Sequence, residues 1–289
     1  LEILADGTVR RHLGNGLFDD YSPDGGGGFT SAAGVYSRLR NTGGEFQERS
    51  RTGTIHRYTL TGPLLQIEDR IGNTRTFAYD DPTDANRLTC VVDEFDREII
   101  FGYSGDGTLQ SITDFTGRSV AFTHDAAGNL IEARSPIVVG TVTDNDFPLG
   151  RREQYLYQNA DLPNHITAVI LPNQVEDGTN TAAIVNSYGS DDGDLASFGR
   201  IISQQVGGTN ASGTAGGGTL NYALNFAPVA GPPGTASETT VTDRNDQITR
   251  YCFTATGHPL QRLENPSVAG PALAPEPTLV TTFEFNDDG

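Results

Sequence analysis

Three residue types are missing from this 289-residue sequence, which contains no lysine, methionine or tryptophan. Its 19 basic residues are therefore all arginines, and against 37 acidic residues they leave a net charge of −18. Such a surface repels the phosphates of nucleic acid and the headgroups of an anionic membrane, so neither is expected as a partner. No apolar run approaches the eighteen residues of a transmembrane helix, so no membrane span is predicted.

Conventional end signals are also missing. The chain opens at Leu1 with neither an initiating methionine nor a signal peptide, and it closes at Gly289 within a turn that follows Phe283 to Phe285. We therefore expect an excerpt of a larger protein that continues well beyond residue 289. Because the last strand lacks its return arm, we also expect the isolated chain to self-associate through its edge strands.

One pattern recurs between Gly72 and Pro136: an alternating arm that ends in aromatic residues, a turn rich in Asp and Gly, and a short apolar return arm. Tyr79, Tyr103 and His124 close successive first arms and are 24 and 21 residues apart. A recurring period of this size indicates a repeat protein. The three predicted hairpins have the following first and return arms: 75–80 with 86–93, 97–103 with 109–114, and 118–125 with 130–134.

Details of the hairpins give two further expectations. In the return arms Leu109 and Ile112 are three residues apart, which breaks strict alternation and indicates either a bulge or a strand covered on both faces. The aromatic residues should pack on one another across adjacent strands, and the four concerned are Tyr79, Phe101, Tyr103 and Phe122.

The repeated unit resembles the RHS family, also called YD repeats after a Tyr-Asp pair such as Tyr79-Asp80. Asp69-Arg70-Ile71-Gly72-Asn73 is similar to the lead-in to the first full copy in bacterial members. Looser copies follow downstream, at 155–157, 198–201, 251–260 and 283–286. The resemblance implies an all-β array of antiparallel hairpins whose coiled sheet forms an arc of a β-shell. It also implies a non-catalytic role, because in this family the repeats enclose or display a C-terminal effector or toxin domain.

We predict a single repeat region over residues 1–289, with few helical residues. Residues 1–51 are lead-in hairpins and a glycine-rich loop, 52–136 are well-formed repeats, and 137–289 are degenerate repeats with long loops. Leu1 to Val9 is predicted to begin a hairpin. Three segments are predicted as loops: residues 14–28 with little core, residues 137–152, and residues 206–233.

No residue set indicates catalysis, a cofactor or a metal. The histidines lie at positions 12, 56, 124, 165 and 258 without metal-ligand spacing, and His124 stands in an aromatic slot where packing is expected. Cys90 and Cys252 are expected as small residues inside strands, and their number does not establish a disulfide. Three acidic clusters offer oxygen ligands for calcium but are more simply solvated turns: Asp80-Asp81, Asp144-Asn145-Asp146, and Asp191-Asp192-Gly193-Asp194. Asn210-Ala211-Ser212 is a glycosylation sequon.

Three functions are compatible with the sequence, and they are given in order of preference. The first is a structural shell, secreted or on a bacterial surface, whose partners are the remainder of its own polypeptide and its effector domain. The second is an extracellular adhesion module that binds carbohydrate or a cell surface through exposed Tyr and Asn side chains. The third is a polysaccharide-degrading β-solenoid enzyme with a carboxylate and arginine site.

Overall fold

The computed structural model describes residues 1–14, 16–142, 146–190, 193–207, 217–226, 231–265 and 279–284. Its residues group into two compact units, Leu1–Phe122 and Thr123–Gly289. The described residues form twenty-three strands and one five-residue helix. The predicted all-β class with few helical residues is confirmed.

The first unit begins with a four-stranded antiparallel sheet in the order β1-β2-β3-β4. Its strands are β1 Glu2–Ile3, β2 Val9–His12, β3 Phe18–Pro23 and β4 Phe29–Ser31. The predicted first hairpin is present, because Glu2 pairs with Arg10 and Ile3 pairs with Val9.

The interpretation of residues 14–28 as a loop with little core is wrong. Strand β3 runs through this segment, and Tyr21 lies opposite Val9 with 0% of its surface exposed. The run of glycines only forms the turn that follows, where the Asp24 carboxylate accepts backbone N–H bonds from Gly26 and Gly28. The run of glycines indicates a loop, and this signal outweighed the alternation of the arm before it.

The rest of the first unit is a series of strands, each antiparallel to the next in sequence. These strands are β5 Arg38–Asn41, β6 Phe46–Arg49, β7 Ile55–Tyr58, β8 Leu64–Glu68, β9 Thr74–Ala78, β10 Cys90–Val92, β11 Glu98–Tyr103, β12 Leu109–Thr113 and β13 Ser119–His124. Strand β13 crosses the limit of the unit and pairs with β12 through residues 119–121. The strands predicted for residues 75–125 lie where the sequence indicated.

The turns between these strands reuse one arrangement. In the turn from Asp114 to Arg118, the Asp114 N–H bonds the Arg118 carbonyl at 2.9 Å, and the Asp114 carboxylate accepts the N–H groups of Thr116 and Arg118. The fourth residue, Gly117, has a φ of 84°, a region that costs other residues strain. The same carboxylate contacts recur at Asp69, Asp93, Asp125 and Asp243. A glycine takes the positive φ in the turns at Asp69, Asp114 and Asp125, whereas Asp96 and Asp246 take it, at 58° and 60°, in the other two.

A bulge breaks the alternation of the return arm, which decides between the two alternatives that the sequence left open. Gly102 pairs with Ser111 and Tyr103 pairs with Leu109, so Gln110 is the extra residue on β12. Because two residues then oppose one, side chains three apart share a face. The same bulge occurs in β8, where Leu65, the second residue of the strand, is the extra residue opposite β7.

The predicted packing of the anchor aromatics on one another is wrong for Phe101 and Tyr103. Their cross-strand partners are Ile112 and Leu109, which lie on the return arm. Since an aliphatic return arm separates successive aromatic arms, neighbouring anchors are two strands, about 9.5 Å, apart. Phe101 is only half-buried. Its truncation to alanine should therefore cost about 2 kcal/mol rather than the 3–5 kcal/mol of a fully buried phenylalanine.

The second unit repeats the same neighbour-to-neighbour antiparallel pairing from β14 to β23. Its elements are β14 Leu130–Arg134, β15 Arg152–Leu156, β16 Ala168–Ile170, α1 Pro172–Glu176, β17 Ile184–Tyr188, β18 Ile201–Val206, β19 Thr219–Asn225, β20 Ser237–Thr242, β21 Ile248–Phe253, β22 Pro259–Asn265 and β23 Leu279–Thr282. The bulge recurs here too, with Ile202 and Leu260 as the extra residues.

Two segments of the second unit are more ordered than predicted. In the first, over residues 137–142 and 146–152, Val138 and Phe147 exchange backbone hydrogen bonds and Phe147 is only 4% exposed. The predicted loop over residues 206–233 contains strand β19, whose half-buried Leu220, Tyr222 and Leu224 alternate along the strand. The sequon, Asp144-Asn145, Asp191-Asp192 and residues 285–289 lie outside the described residues.

Candidate functional site

The first unit encloses one carboxylate completely. Strand β6 alternates, so Phe46 and Glu48 point to the buried side while Gln47 and Arg49 point away. Phe46 joins a small apolar core with Val9, Tyr21 and Leu39. Glu48, with 0% of its surface exposed, continues this row and places a charge at the end of the core.

Three strands supply partners to Glu48, and Ser37 supports one of these partners. Arg11 of β2 contacts Oε1 through Nη1, and Tyr21 of β3 donates its hydroxyl to the same oxygen at 2.9 Å. Tyr58 of β7 donates to Oε2 at 3.3 Å, and Ser37, just before β5, lies 2.6 Å from the Tyr21 hydroxyl. We call Arg11, Tyr21, Glu48 and Tyr58 the Glu48 clasp, because it ties the first sheet to β6 and β7.

The clasp keeps its carboxylate ionised. Burial alone would raise the pKa of Glu48, but the hydrogen bonds and the charge of Arg11, together with the tyrosine hydroxyl, hold it below its ordinary value. Burial and the nearby carboxylate raise the pKa of both Tyr21 and Tyr58, so both phenols stay protonated. At neutral pH these two tyrosines are therefore hydrogen-bond donors to an ionised carboxylate.

His56 lies beside the clasp without completing a catalytic set. Its Nδ1 is 3.7 Å from Glu48 Oε2, beyond hydrogen-bonding distance, and its ring stacks near that of Tyr58. Burial lowers the pKa of His56, which leaves the imidazole neutral at pH 7. Because the carboxylate is enclosed and its oxygens are engaged, the geometry serves packing and orientation rather than proton transfer to a bound molecule.

Sequence reasoning missed this cluster. A signal was available in the phase of β6, where Phe46-Gln47-Glu48 places a glutamate on the same face as a phenylalanine. A charge on the apolar face of a strand requires partners. Those partners come from residues 10 to 37 positions away, so pattern alone could not identify them.

A second recurring contact explains the tyrosine of the repeat. The hydroxyl of Tyr103 donates to the carbonyl of Leu88, at 2.8 Å, and so joins one hairpin to the start of the preceding return arm. Equivalent bonds join Tyr157 to Leu130 at 2.9 Å and Tyr188 to Ile166 at 2.8 Å. We call these bonds tyrosine latches. They satisfy the polar end of a half-buried ring and fix the spacing of successive hairpins.

Three carboxylates of the acidic clusters, those of Asp81, Asp146 and Asp194, are bonded within their own turns or loops. Asp81 accepts bonds from Thr83 and from the Asp84 N–H, and its second oxygen pairs with Arg87 at 2.8 Å. The hydroxyl of Thr83 and the Arg87 side chain hold the pKa of Asp81 far below its usual range. Asp146 and Asp194 likewise accept bonds from residues of their own loops. In the described part of the chain, no group of three acidic, histidine or cysteine side chains is placed to hold a metal.

The remaining candidate residues are dispersed. His12 contacts the carboxylate of Glu2, His165 packs edge-on against Tyr188 at 4.9 Å, and His124 is half-buried at the end of β13. Both cysteines are free thiols, with Cys252 fully buried and Cys90 half-buried. Burial raises the pKa of both, which makes them poor nucleophiles. In the described ranges, no helix has the length and apolar character to cross a bilayer.

Comparison with known proteins gives structural similarities alone, since no family profile and no curated protein matches the chain. A crystal structure of TcdB2-TccC3-Cdc42 aligns over 92% of this chain and 19% of its own, with 13% identity and a TM-score of 0.35. TcdB2-TccC3 without its hypervariable C-terminal region aligns over 91% and 15%, with 14% identity and a TM-score of 0.30. The Tc holotoxin pore of Photorhabdus luminescens aligns over 92% of this chain and 20% of its own, with 12% identity and a TM-score of 0.19. The chain thus spans about a fifth or less of these proteins, and its fold assignment rests on its own strand pairing.

Proposed function

We propose that this chain is a non-catalytic structural scaffold, a part of an RHS or YD-repeat shell that encloses or displays a C-terminal effector or toxin domain. In this proposal residues 1–289 form one repeat region of a larger protein that is secreted or lies on a bacterial surface. Its partners are further repeats and the effector domain of the same polypeptide. Its open edge strands would also pair with another chain.

The observation that carries the proposal is that the strands of each unit pair in sequence order and are linked by tyrosine latches. Tyr103 and Leu88 belong to successive hairpins, so the hydroxyl of Tyr103 lies at the contact between repeats. A hairpin of this size is barely stable alone, so a device that fastens each one to its neighbour suits a protein whose task is to form an extended wall.

The use of polar groups supports the same role. The most enclosed carboxylate and guanidinium pair, Glu48 with Arg11, holds two sheets together and leaves no oxygen for a substrate. Asp81 and Asp114 are occupied by the N–H groups and side chains of their own turns. These side chains stabilise the fold itself.

Electron microscopy and limited proteolysis of the native polypeptide, purified from its source cell, test the proposal. We expect a mass well above that of 289 residues, a hollow coiled sheet, and a C-terminal domain that resists protease until the shell is opened. A native mass no larger than this chain, or a C-terminal domain cleaved as fast as when it is isolated, would contradict it.

For a second candidate function, a binding module, one observation is unfavourable and one is favourable. Of the ten tyrosines, all described, only Tyr36 is exposed, at 72%, so a tyrosine platform for carbohydrate is not available. An arginine-lined groove in the first unit does favour binding. A glycan array probed with the isolated chain tests the binding module, because a chain that retains no glycan would contradict that function.

A further inference from the structure

A groove of about 590 Å³ opens in the first unit beside strands β4 to β7. It is lined by Asp24, Gly28, Phe29, Thr30, Ser31, Arg38, Leu39, Arg40, Gln47, Arg49 and Ile55. An isolated bridge joins Gly28, just before β4, to Arg40 of β5, and the groove lies at this junction. Its size falls within the range of pockets that hold small molecules, about 300–1,000 Å³.

Two arginines in this groove face each other without a counterion. Arg38 and Arg49 are direct partners in the register of β5 and β6, and both are exposed. Within the described chain, neither guanidinium group makes a hydrogen bond, an ion pair or a ring contact, although the two backbones pair in the sheet. Like charges opposite one another destabilise a strand pair, since their Cβ atoms lie only about 5 Å apart.

The other charges on this face do not neutralise the pair. Arg57 already engages Glu45 at 2.8 Å and Glu68 at 3.0 Å, while Arg40 donates to Gln47. Asp24 is the carboxylate of the groove, and one of its oxygens accepts two N–H groups of its own turn. Residues 38–57 contain five arginines against two glutamates, although the whole chain carries −18.

We propose that this groove binds a compact oxyanion, a phosphate, sulfate or carboxylate group carried on a small molecule such as a sugar. Arg38 and Arg49 clamp the oxyanion with two guanidinium forks, a geometry that suits carboxylates and phosphates. Phe29 and Ile55 supply an apolar wall for the body of the ligand, and Thr30 adds a hydroxyl. The strongly negative chain repels long polyanions, so the ligand is small. This inference holds whether or not the chain is part of a shell.

Isothermal titration of the isolated chain at low ionic strength tests the site with inorganic phosphate, inorganic sulfate, glucuronate and, as a neutral control, glucose. We expect saturable millimolar binding of at least one anion and none of glucose. The order among the three anions identifies the class of group that the ligand carries.

Variants locate the binding. Arg38→Gln and Arg49→Gln should each weaken binding of the best anion at least tenfold, and neither should lower the melting temperature, since each relieves a like-charge contact. Arg75→Gln is the matched control, because Arg75 is an exposed strand arginine opposite Ile67. It should leave the affinity within twofold. Equal binding in all three variants, or no binding of any anion, would overturn the proposal.

Discussion

Replacing Arg11 with methionine tests the Glu48 clasp most directly. Methionine keeps much of the length and apolar bulk of the arginine stem and removes the guanidinium. The side chain of Glu48 would then retain two tyrosine hydroxyls but no cation, while its surface stays 0% exposed.

Breaking a buried ion pair by removing one partner costs about 3–5 kcal/mol, because an uncompensated charge remains inside the protein. Arg11 is itself 23% exposed and also contacts Asp19, and the two hydroxyls still solvate the carboxylate. We therefore expect the lower end of the range, about 3 kcal/mol of unfolding free energy at pH 7.

The pH dependence distinguishes loss of charge pairing from loss of packing. In the parent chain the pKa of Glu48 is lowered by folding, so its stabilisation is present above the unfolded value of about 4.3 and is lost as the pH falls through the folded value. Without Arg11, burial should raise the folded pKa above the unfolded one. The folded variant then binds more protons than its unfolded state, and its deficit should shrink between pH 7 and about pH 5.

The measurement is urea unfolding followed by tyrosine fluorescence, which is usable because the chain has no tryptophan. Arg10→Met is the control on the same strand, since Arg10 pairs with Asp20 near the surface and its loss should destabilise the protein clearly less than the loss of Arg11. If Arg11→Met costs no more than Arg10→Met, or if its deficit is constant with pH, the clasp does not stabilise the first unit as argued.

Three further outcomes are expected. Tyr103→Phe should lower the unfolding free energy by about 1 kcal/mol through loss of its latch, whereas Tyr36→Phe should be neutral, and equal effects would argue against the latches. Gly117→Ala should lower the unfolding free energy by about 1 kcal/mol, because Gly117 has a φ of 84° and open space around it. Gly105 also has open space around it but no positive φ, so Gly105→Ala should not destabilise the protein. Urea midpoints of the two variants test this difference. Stability should fall as the pH drops from about 4 to 2, because hydrogen bonds from Arg97 lower the pKa of Asp93 to about 2; a urea midpoint constant over that window would contradict the carboxylate turns.

Local chemistry made the hairpins readable from the sequence. The strands of residues 75–125 follow from alternation and their turns from Asp and Gly, while the spacing of Leu109 and Ile112 indicated a bulge as one of two alternatives. Each of these signals acts over a few residues, so no knowledge of distant contacts was needed.

The other features depend on tertiary contacts, which the local sequence does not specify. The Glu48 clasp joins Arg11 to a residue 37 positions later, and nothing in the local pattern says which distant arginine will arrive there. Strand β3 was missed because its one buried side chain, Tyr21, is followed by glycines that indicate a loop. The cross-strand partners of Phe101 depend on the order of arms in the sheet rather than on its own neighbours.

The pairing of β5 to β12 in sequence order bears on how the chain is made. Each strand finds its partner in the next segment to be synthesised, as β11 finds β12 within fifteen residues of its start. Contacts this local lower the entropic cost of pairing, so each hairpin is free to form soon after it leaves the ribosome. The sheet would then grow by one hairpin at a time, and its newest strand would present an open edge that selects the chain's own next repeat before any other strand.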